Sequence, residues 1–235
     1  MTLKKTKIGL LGCGVVGKGV WSLLQQNHIE IEQNTGVQLE IEKILVRDLE
    51  RYQSLMPEEL RFTSQWEDIL KDDSIDMIIE LMGGIEPART YITQALMAGK
   101  HVVTANKALL AQYGAELTRL AEDHHVQLRY EASAAGGVPV LQAIRESLTA
   151  NRLESLMGIV NGTTNYILTR MTEEGSNFQE TLAEAQLKGY AEADPTADIE
   201  GFDAAHKLAI LASLAFKTQV RFESVYREGI DGITP

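Results

Sequence analysis

Between Glu192 and Lys207 the chain crowds five carboxylates, Glu192, Asp194, Asp198, Glu200 and Asp203, ahead of a single lysine. Asp203 and Lys207 are four residues apart, so on a helix they share a face. The helix continues LAILASLAF, apolar on nearly every side, and is expected to be buried. A surface Asp–Lys pair contributes only a few tenths of a kcal/mol and has no reason to head a buried helix. An ion pair at the floor of a cleft fits better, with Asp203 holding Lys207 for proton transfer. The surplus of carboxylates asks for a positively charged ligand. An amino group seated between Glu192 and Asp203 would supply that charge, and an α-amino acid would bring a carboxylate as well. The plain alternative is that Asp194, Asp198 and Glu200 form a solvated acidic loop, and for Glu200 that explanation is taken.

The elements that must position these residues begin with a glycine loop. IGLLGCGVVGKGV places Gly12, Gly14 and Gly17 after a strand-like run and into a helix. In that context Gly12 permits the tight turn and Gly14 lets a pyrophosphate approach. Gly17 allows close helix packing, and the phosphates rest on the helix N-terminus with Val15 and Val16. The alternative is a turn whose glycines serve geometry only. The second strand ends LVRDLER, where Arg47 suits the extra phosphate of NADP and Asp48 suits the ribose of NAD. Arg47 comes first, which favours NADP with NAD as the alternative; a solvated charge pair remains open.

Strand-like segments at 7–11, 38–46, 76–82, 101–104 and 127–130 alternate with helical ones at 15–33, 86–98 and 107–123. That alternation predicts an α/β fold, a Rossmann-type doubly wound parallel sheet. Ligands of such sheets bind beyond the carboxyl ends of strands. Gly83 and Gly84 would let a nicotinamide lie close, unless they serve an ordinary turn. Lys107, in TANKALLA, opposes the helix dipole in the first turn. It is a candidate to bind an anionic substrate or the cofactor, or else an exposed lysine. Glu131, in EASAAGGVP, is either a cation ligand or one carboxylate in a hinge loop. Asn161 and its neighbours Gly162-Thr163-Thr164 read as a polar turn and helix cap that could line a pocket.

Past Ala132 the chain turns small and flexible, which sets a domain boundary near Gly136 and domains of 1–135 and 136–235. The second is expected to be an α+β substrate domain, with a strand at 153–160 and helices at 139–149, 165–174, 178–187 and 202–216. The ending GITP has no cap, so a fragment lacking its last elements is expected.

The 235 residues, 44% hydrophobic, suffice for a sizeable core, and no apolar run is long enough to span a bilayer. Net charge is 22 − 33 = −11, with no basic tract, so neither nucleic acid nor an anionic membrane is an expected partner. One cysteine, Cys13, excludes a disulfide framework and points to a reducing cytoplasm. His124 and His125 lack metal-ligand spacing and read as structural.

The ordered set GxGxxG, MGGIEPA, TANKALLA, EASAAGGVP, GIVNGTTNYIL and GYAEADPTADIEGFDAAHKLAIL resembles the homoserine dehydrogenases, from about residue 7 onward. The resemblance implies NAD(P)-dependent interconversion of L-homoserine and L-aspartate 4-semialdehyde on the route to threonine and methionine. Lys207 resembles the family's proton donor. Glu192 and Asp203 resemble the substrate-holding residues, Asp198 a nearby pocket carboxylate, and Lys107 a lysine between substrate and nicotinamide. Glu131, with backbone oxygens of Ala134, Gly136 and Val138, resembles a monovalent-cation site that would take sodium. A homodimer is implied for the complete protein. Two rivals are another two-domain dehydrogenase and a nucleotide-sensing module without catalysis.

Overall fold

Strand β1, Lys4–Leu11, grows more buried toward its carboxyl end, where Ile8, Leu10 and Leu11 are inaccessible to solvent. The computed structural model describes residues 4–53 and 60–234. After β1 come helices α1, Val15–Gln26, and α2, His28–Thr35, then β2, Val37–Leu45. The short elements α3, Leu49–Gln53, β3, Phe62–Thr63, and α4, Glu67–Leu70, lead into β4, Met77–Glu80. Helix α5, Ala88–Met97, β5, His101–Thr104, α6, Lys107–Asp123, and β6, Leu128–Arg129, complete the layer. The six strands run β3-β2-β1-β4-β5-β6, all parallel. Strand order reverses between β1 and β4, the crevice where doubly wound sheets bind ligands.

Helices α5 and α6 are held by apolar stripes. On α5 the buried positions are Ala88, Ile92, Ala95 and Leu96, spaced i, i+4, i+7, i+8. Burying a side chain such as Ile92 or Leu96 contributes about 1.5–3 kcal/mol. The amino end of the sheet carries a buried base. Lys100, 5% exposed, donates to the carbonyls of Asp72 and Ile75 at 2.8 Å, and burial pushes its amine below the ordinary value.

The chain divides into two units, Met1–Ser133 and Ala134–Pro235. In the second, a one-turn helix α7, Val140–Gln142, runs into a π-helical turn, Ala143–Ser147. Helices α8, Gly162–Glu174, α9, Phe178–Leu187, α10, Thr196–Ile199, and α11, Phe202–Ala215, follow. Its core gathers Ile167, Met171, Phe178, Ala185 and Ala191.

Several expectations need correcting. The helix expected over 15–33 breaks at Asn27, whose φ of −110° and ψ of 18° leave the helical region. A sixth strand, the two-residue β3, is too short to carry a period. The strand expected at 153–160 is not formed, because no described strand lies beside it to complete a ladder. The described residues of the second unit are therefore helical rather than α+β, and Met157 and Ile159 stand 99% and 76% exposed.

Candidate functional site

A part-buried polar cluster of the second unit lies at the head of α11. Gly201, with φ of 80°, precedes the helix; a Cβ there would come within 3.0 Å of the Glu228 carbonyl. Asp203 follows in the first turn, where the helix dipole favours an anion, and is only 5% exposed. One turn on, the Lys207 Nζ donates to Asp203 Oδ2 and to the Val160 carbonyl, both at 2.7 Å. The side chains of Lys207 and Asp203 are 18% and 7% exposed, so the pair sits at a partly buried helix head.

Asn161 completes the cluster. Its Nδ2 donates to Asp198 Oδ1 at 2.7 Å and to Asp203 Oδ2 at 2.8 Å. Its Oδ1 accepts from the backbone N–H and hydroxyl of Thr164, capping α8. Both amide hydrogens thus tie two carboxylates together, and the oxygen ties them to a helix terminus. The structure gathers Asp198, Asp203 and Lys207 around this amide. Asp194 instead accepts from the N–H and hydroxyl of Thr196 at the start of α10, which holds its carboxyl below the ordinary value. Glu192 is exposed. Its backbone carbonyl accepts from Gln186. His206 stacks on Phe222 at 4.2 Å.

In the first unit the glycine loop joins β1 to α1 as the motif requires. Gly12 has φ of 97°, and a Cβ on Gly17 would sit 2.3 Å from the Gly12 carbonyl oxygen, so α1 could not approach the turn with any side chain at 17. Around Gly14 there is open space. Val15 and Val16 stand 91% and 58% exposed at a helix terminus with no side-chain cap and no acid in its first turn. An uncapped, uncrowded N-terminus of this kind fits a phosphate. Cys13 is buried, and desolvation pushes its thiol up, which suits packing rather than reactivity. Beyond β2, Arg47 is exposed, while Asp48 Oδ1 accepts from the N–H of Arg51 at the start of α3.

The loops after β4 and β5 are joined through a residue that the sequence reading passed over. Glu80, the last residue of β4, is 0% exposed. One oxygen accepts from the N–H groups of Met82 and Gly83 at 2.8 and 3.2 Å. The other accepts from the Thr104 hydroxyl at 2.6 Å. That hydroxyl in turn accepts from the Asn106 N–H, and Asn106 Nδ2 donates to the Gly84 carbonyl at 2.6 Å. Asn106 also caps α6 through Leu109 N–H, which sets the helix start at Lys107, itself half-buried. Glu80 ends the run DMIIE, where a single acid reads as the polar edge of a strand. Its side-chain partner, Thr104, lies 24 residues downstream, so no local signal exposes its burial.

Glu131 opens a 3₁₀ turn at the end of the first unit, while Ala134, Gly136 and Val138 belong to the second. Ala135 and Gly137 have φ of 51° and 82°, which folds the intervening loop tightly. Among the described residues, no helix is long and apolar enough to cross a membrane.

Comparison with known proteins adds a common thread. Residues 12–131 match a family model described as the NAD binding domain of homoserine dehydrogenase, and residues 139–235 match one described as homoserine dehydrogenase. A homoserine dehydrogenase of Bacillus subtilis is 46% identical over 99% of this chain and 54% of its own length. One of Corynebacterium glutamicum is 46% identical over 97% and 51%. A solved homoserine dehydrogenase from Thiobacillus denitrificans superposes with a TM-score of 0.92 at 47% identity, over 98% of this chain and 53% of that one. A hyperthermophilic archaeal homoserine dehydrogenase solved in complex with NADPH gives 0.84 at 25% identity, over 97% and 75%. The chain spans about half the length of the curated relatives it matches.

Proposed function

The chain belongs to the homoserine dehydrogenase family, and from that premise we propose that it serves the NAD(P)-dependent interconversion of L-homoserine and L-aspartate 4-semialdehyde, a step of threonine and methionine biosynthesis. The observation that carries this reading is the Asp203–Lys207 pair, held by Asn161 at the head of an apolar helix.

An ammonium has three protons to donate. Lys207 commits two, to Asp203 and Val160, which leaves the third for the substrate oxygen. When bound, the reduced nicotinamide supplies the hydride for the aldehyde carbon. Lys207 protonates the carbonyl oxygen as the C–H bond forms, which gives the alcohol. In reverse, the neutral amine of Lys207 takes the hydroxyl proton. Asp203 and Glu192 hold the substrate ammonium, with Asp198 beside them. Lys107 answers the substrate carboxylate or the cofactor. Charge stabilisation by Lys207 would be a large part of the rate.

The residues that would hold the dinucleotide are Gly12, Gly14, Val15, Val16, Gly17, Arg47, Gly83 and Lys107. With Asp48 engaged in capping α3, exposed Arg47 favours NADP, and NAD is second. By the family resemblance, Glu131 and the carbonyl oxygens of Ala134, Gly136 and Val138 are the oxygen donors proposed for a monovalent cation such as sodium. The domain roles follow: 1–135 binds the cofactor and 136–235 the substrate, in a cytoplasmic protein that acts as a homodimer in its complete form. The test is homoserine-dependent reduction of NADP and of NAD. Turnover on homoserine supports the reading. Turnover only on another hydroxy compound, or cofactor binding without any catalysis in the complete gene product, overturns it.

A further inference from the structure

We propose that Glu80 is a positioning residue for the nicotinamide half of the cofactor, a buried latch that holds the loop after β4 and the loop after β5 in one frame. The proposal rests on the cofactor reading above. Its location is the first argument. Glu80 pairs with Leu11 of β1 on one side and Thr104 of β5 on the other. It therefore ends its strand at the point where strand order reverses, next to the residue that precedes Gly12.

The second argument is cost. An acid sealed from water is expensive unless every lone pair is answered. An apolar residue of similar size would be the cheaper choice for stability alone. Here three donors converge on Glu80, two backbone N–H groups of the loop holding Gly83 and one hydroxyl of the loop leading to Lys107.

The third argument is connectivity. Thr104 Oγ1 is a relay, donating to Glu80 and accepting from Asn106. Asn106 reaches back to the Gly84 carbonyl and caps the helix that begins with Lys107. The path Glu80, Thr104, Asn106, Gly84 returns to Glu80 through the N–H of the neighbouring Gly83. It fixes two groups already assigned to the nicotinamide end, Gly83 and Lys107. None of these hydrogen bonds reaches Gly12, Gly14 or Gly17, which would answer the pyrophosphate.

The latch should therefore matter to one end of the ligand only. The experiment compares the affinity of this chain for NADP with its affinity for 2′-phospho-ADP-ribose, which lacks the nicotinamide. Thr104→Val removes the relay hydroxyl at constant shape, and Thr104→Ser restores it. Glu80→Gln removes the charge at constant size. The expected result is a roughly tenfold loss of NADP affinity in Thr104→Val, the scale of one well-made hydrogen bond network lost. The fragment lacking nicotinamide should bind within about twofold of wild type. Thr104→Ser should recover most of the loss, and Glu80→Gln should fall between. Equal losses for both ligands, or none for either, overturn the proposal while the cofactor reading stands. So does a wild-type chain that binds both ligands with one affinity, since the nicotinamide then gains nothing from its site. Wild type that binds neither ligand overturns the cofactor reading itself and the latch with it.

Discussion

Glu80 and Asp203 are both buried carboxylates, 0% and 5% exposed, and they are held in opposite ways. Asp203 faces an ammonium and a side-chain amide, groups on flexible stems that a substrate could engage. Glu80 faces two backbone N–H groups and a hydroxyl, fixed by strand and loop geometry. A carboxylate answered by a side-chain cation can exchange partners during a reaction. One answered by the backbone is placed to keep two loops still. Under the proposed function, that contrast would separate residues of the chemistry from residues of its frame.

The largest break in that contrast is expected at the side-chain cation. Lys207→Ala should lower kcat by about 10³-fold or more, the combined scale of proton transfer and charge stabilisation. Circular dichroism should show the helices intact. A near-normal kcat in the homoserine assay would remove Lys207 from the reaction. The next effect is on the amide between the carboxylates. Asn161→Asp keeps the α8 cap but replaces both donors with a third anion beside Asp198 and Asp203. Denaturant unfolding at pH 7 should show a loss of about 2–3 kcal/mol. Acid relieves repulsion among anions, so the gap to wild type should narrow as pH falls; a gap independent of pH would mean the charges do not meet.

The frame residue should behave differently. Glu80→Gln preserves shape and acceptors for the Met82 and Gly83 N–H groups, so its cost in unfolding should be about 1 kcal/mol. If Glu80→Gln costs as much as Asn161→Asp, the distinction between frame and chemistry fails. The smallest effect belongs to a third kind of carboxylate. Asp72 is partly exposed at the amino end of the sheet, where Lys43 Nζ at 2.7 Å and Ser74 hold its carboxyl well below the usual 3.8. A folded value below the unfolded one means stability that is present above pH 3.8 and lost as pH falls through the window beneath it. Glu42, lowered by Lys7, adds to the same loss from 4.5 downward. Asp72→Asn should flatten that acid slope while changing stability at pH 7 by no more than about 1 kcal/mol. An unchanged slope would assign the acid sensitivity elsewhere.

Long, strongly patterned elements were legible in the chain. The strand at 101–104 and the helices at 107–123 and 178–187 are found with those bounds, because apolar spacing and caps such as Asn106 and Asn177 act locally. The glycine loop was legible for the same reason: Gly12 and Gly17 answer to the turn itself. What escaped depends on partners distant in sequence. The strand expected at 153–160 carries suitable residues, yet a strand exists only where a neighbour completes its ladder. The pair Asp203 and Lys207 could be placed from their spacing. Asn161 as the bridge between Asp198 and Asp203 could not, since it lies 37 and 42 residues from them. Glu80 was passed over altogether, because burial of an acid is decided by the loop folded across it.

The glycine turn and the end of β2 differ in how much freedom they leave to descent. At Gly17 a single methyl group would collide with the backbone of Gly12, so that position has no neighbouring sequences to explore. Arg47 stands exposed one residue past a buried valine. Exchanging it disturbs no packing. Under the proposed cofactor assignment, a lineage built on this scaffold would drift in its preference between the two dinucleotides while its grip on their shared pyrophosphate stays frozen.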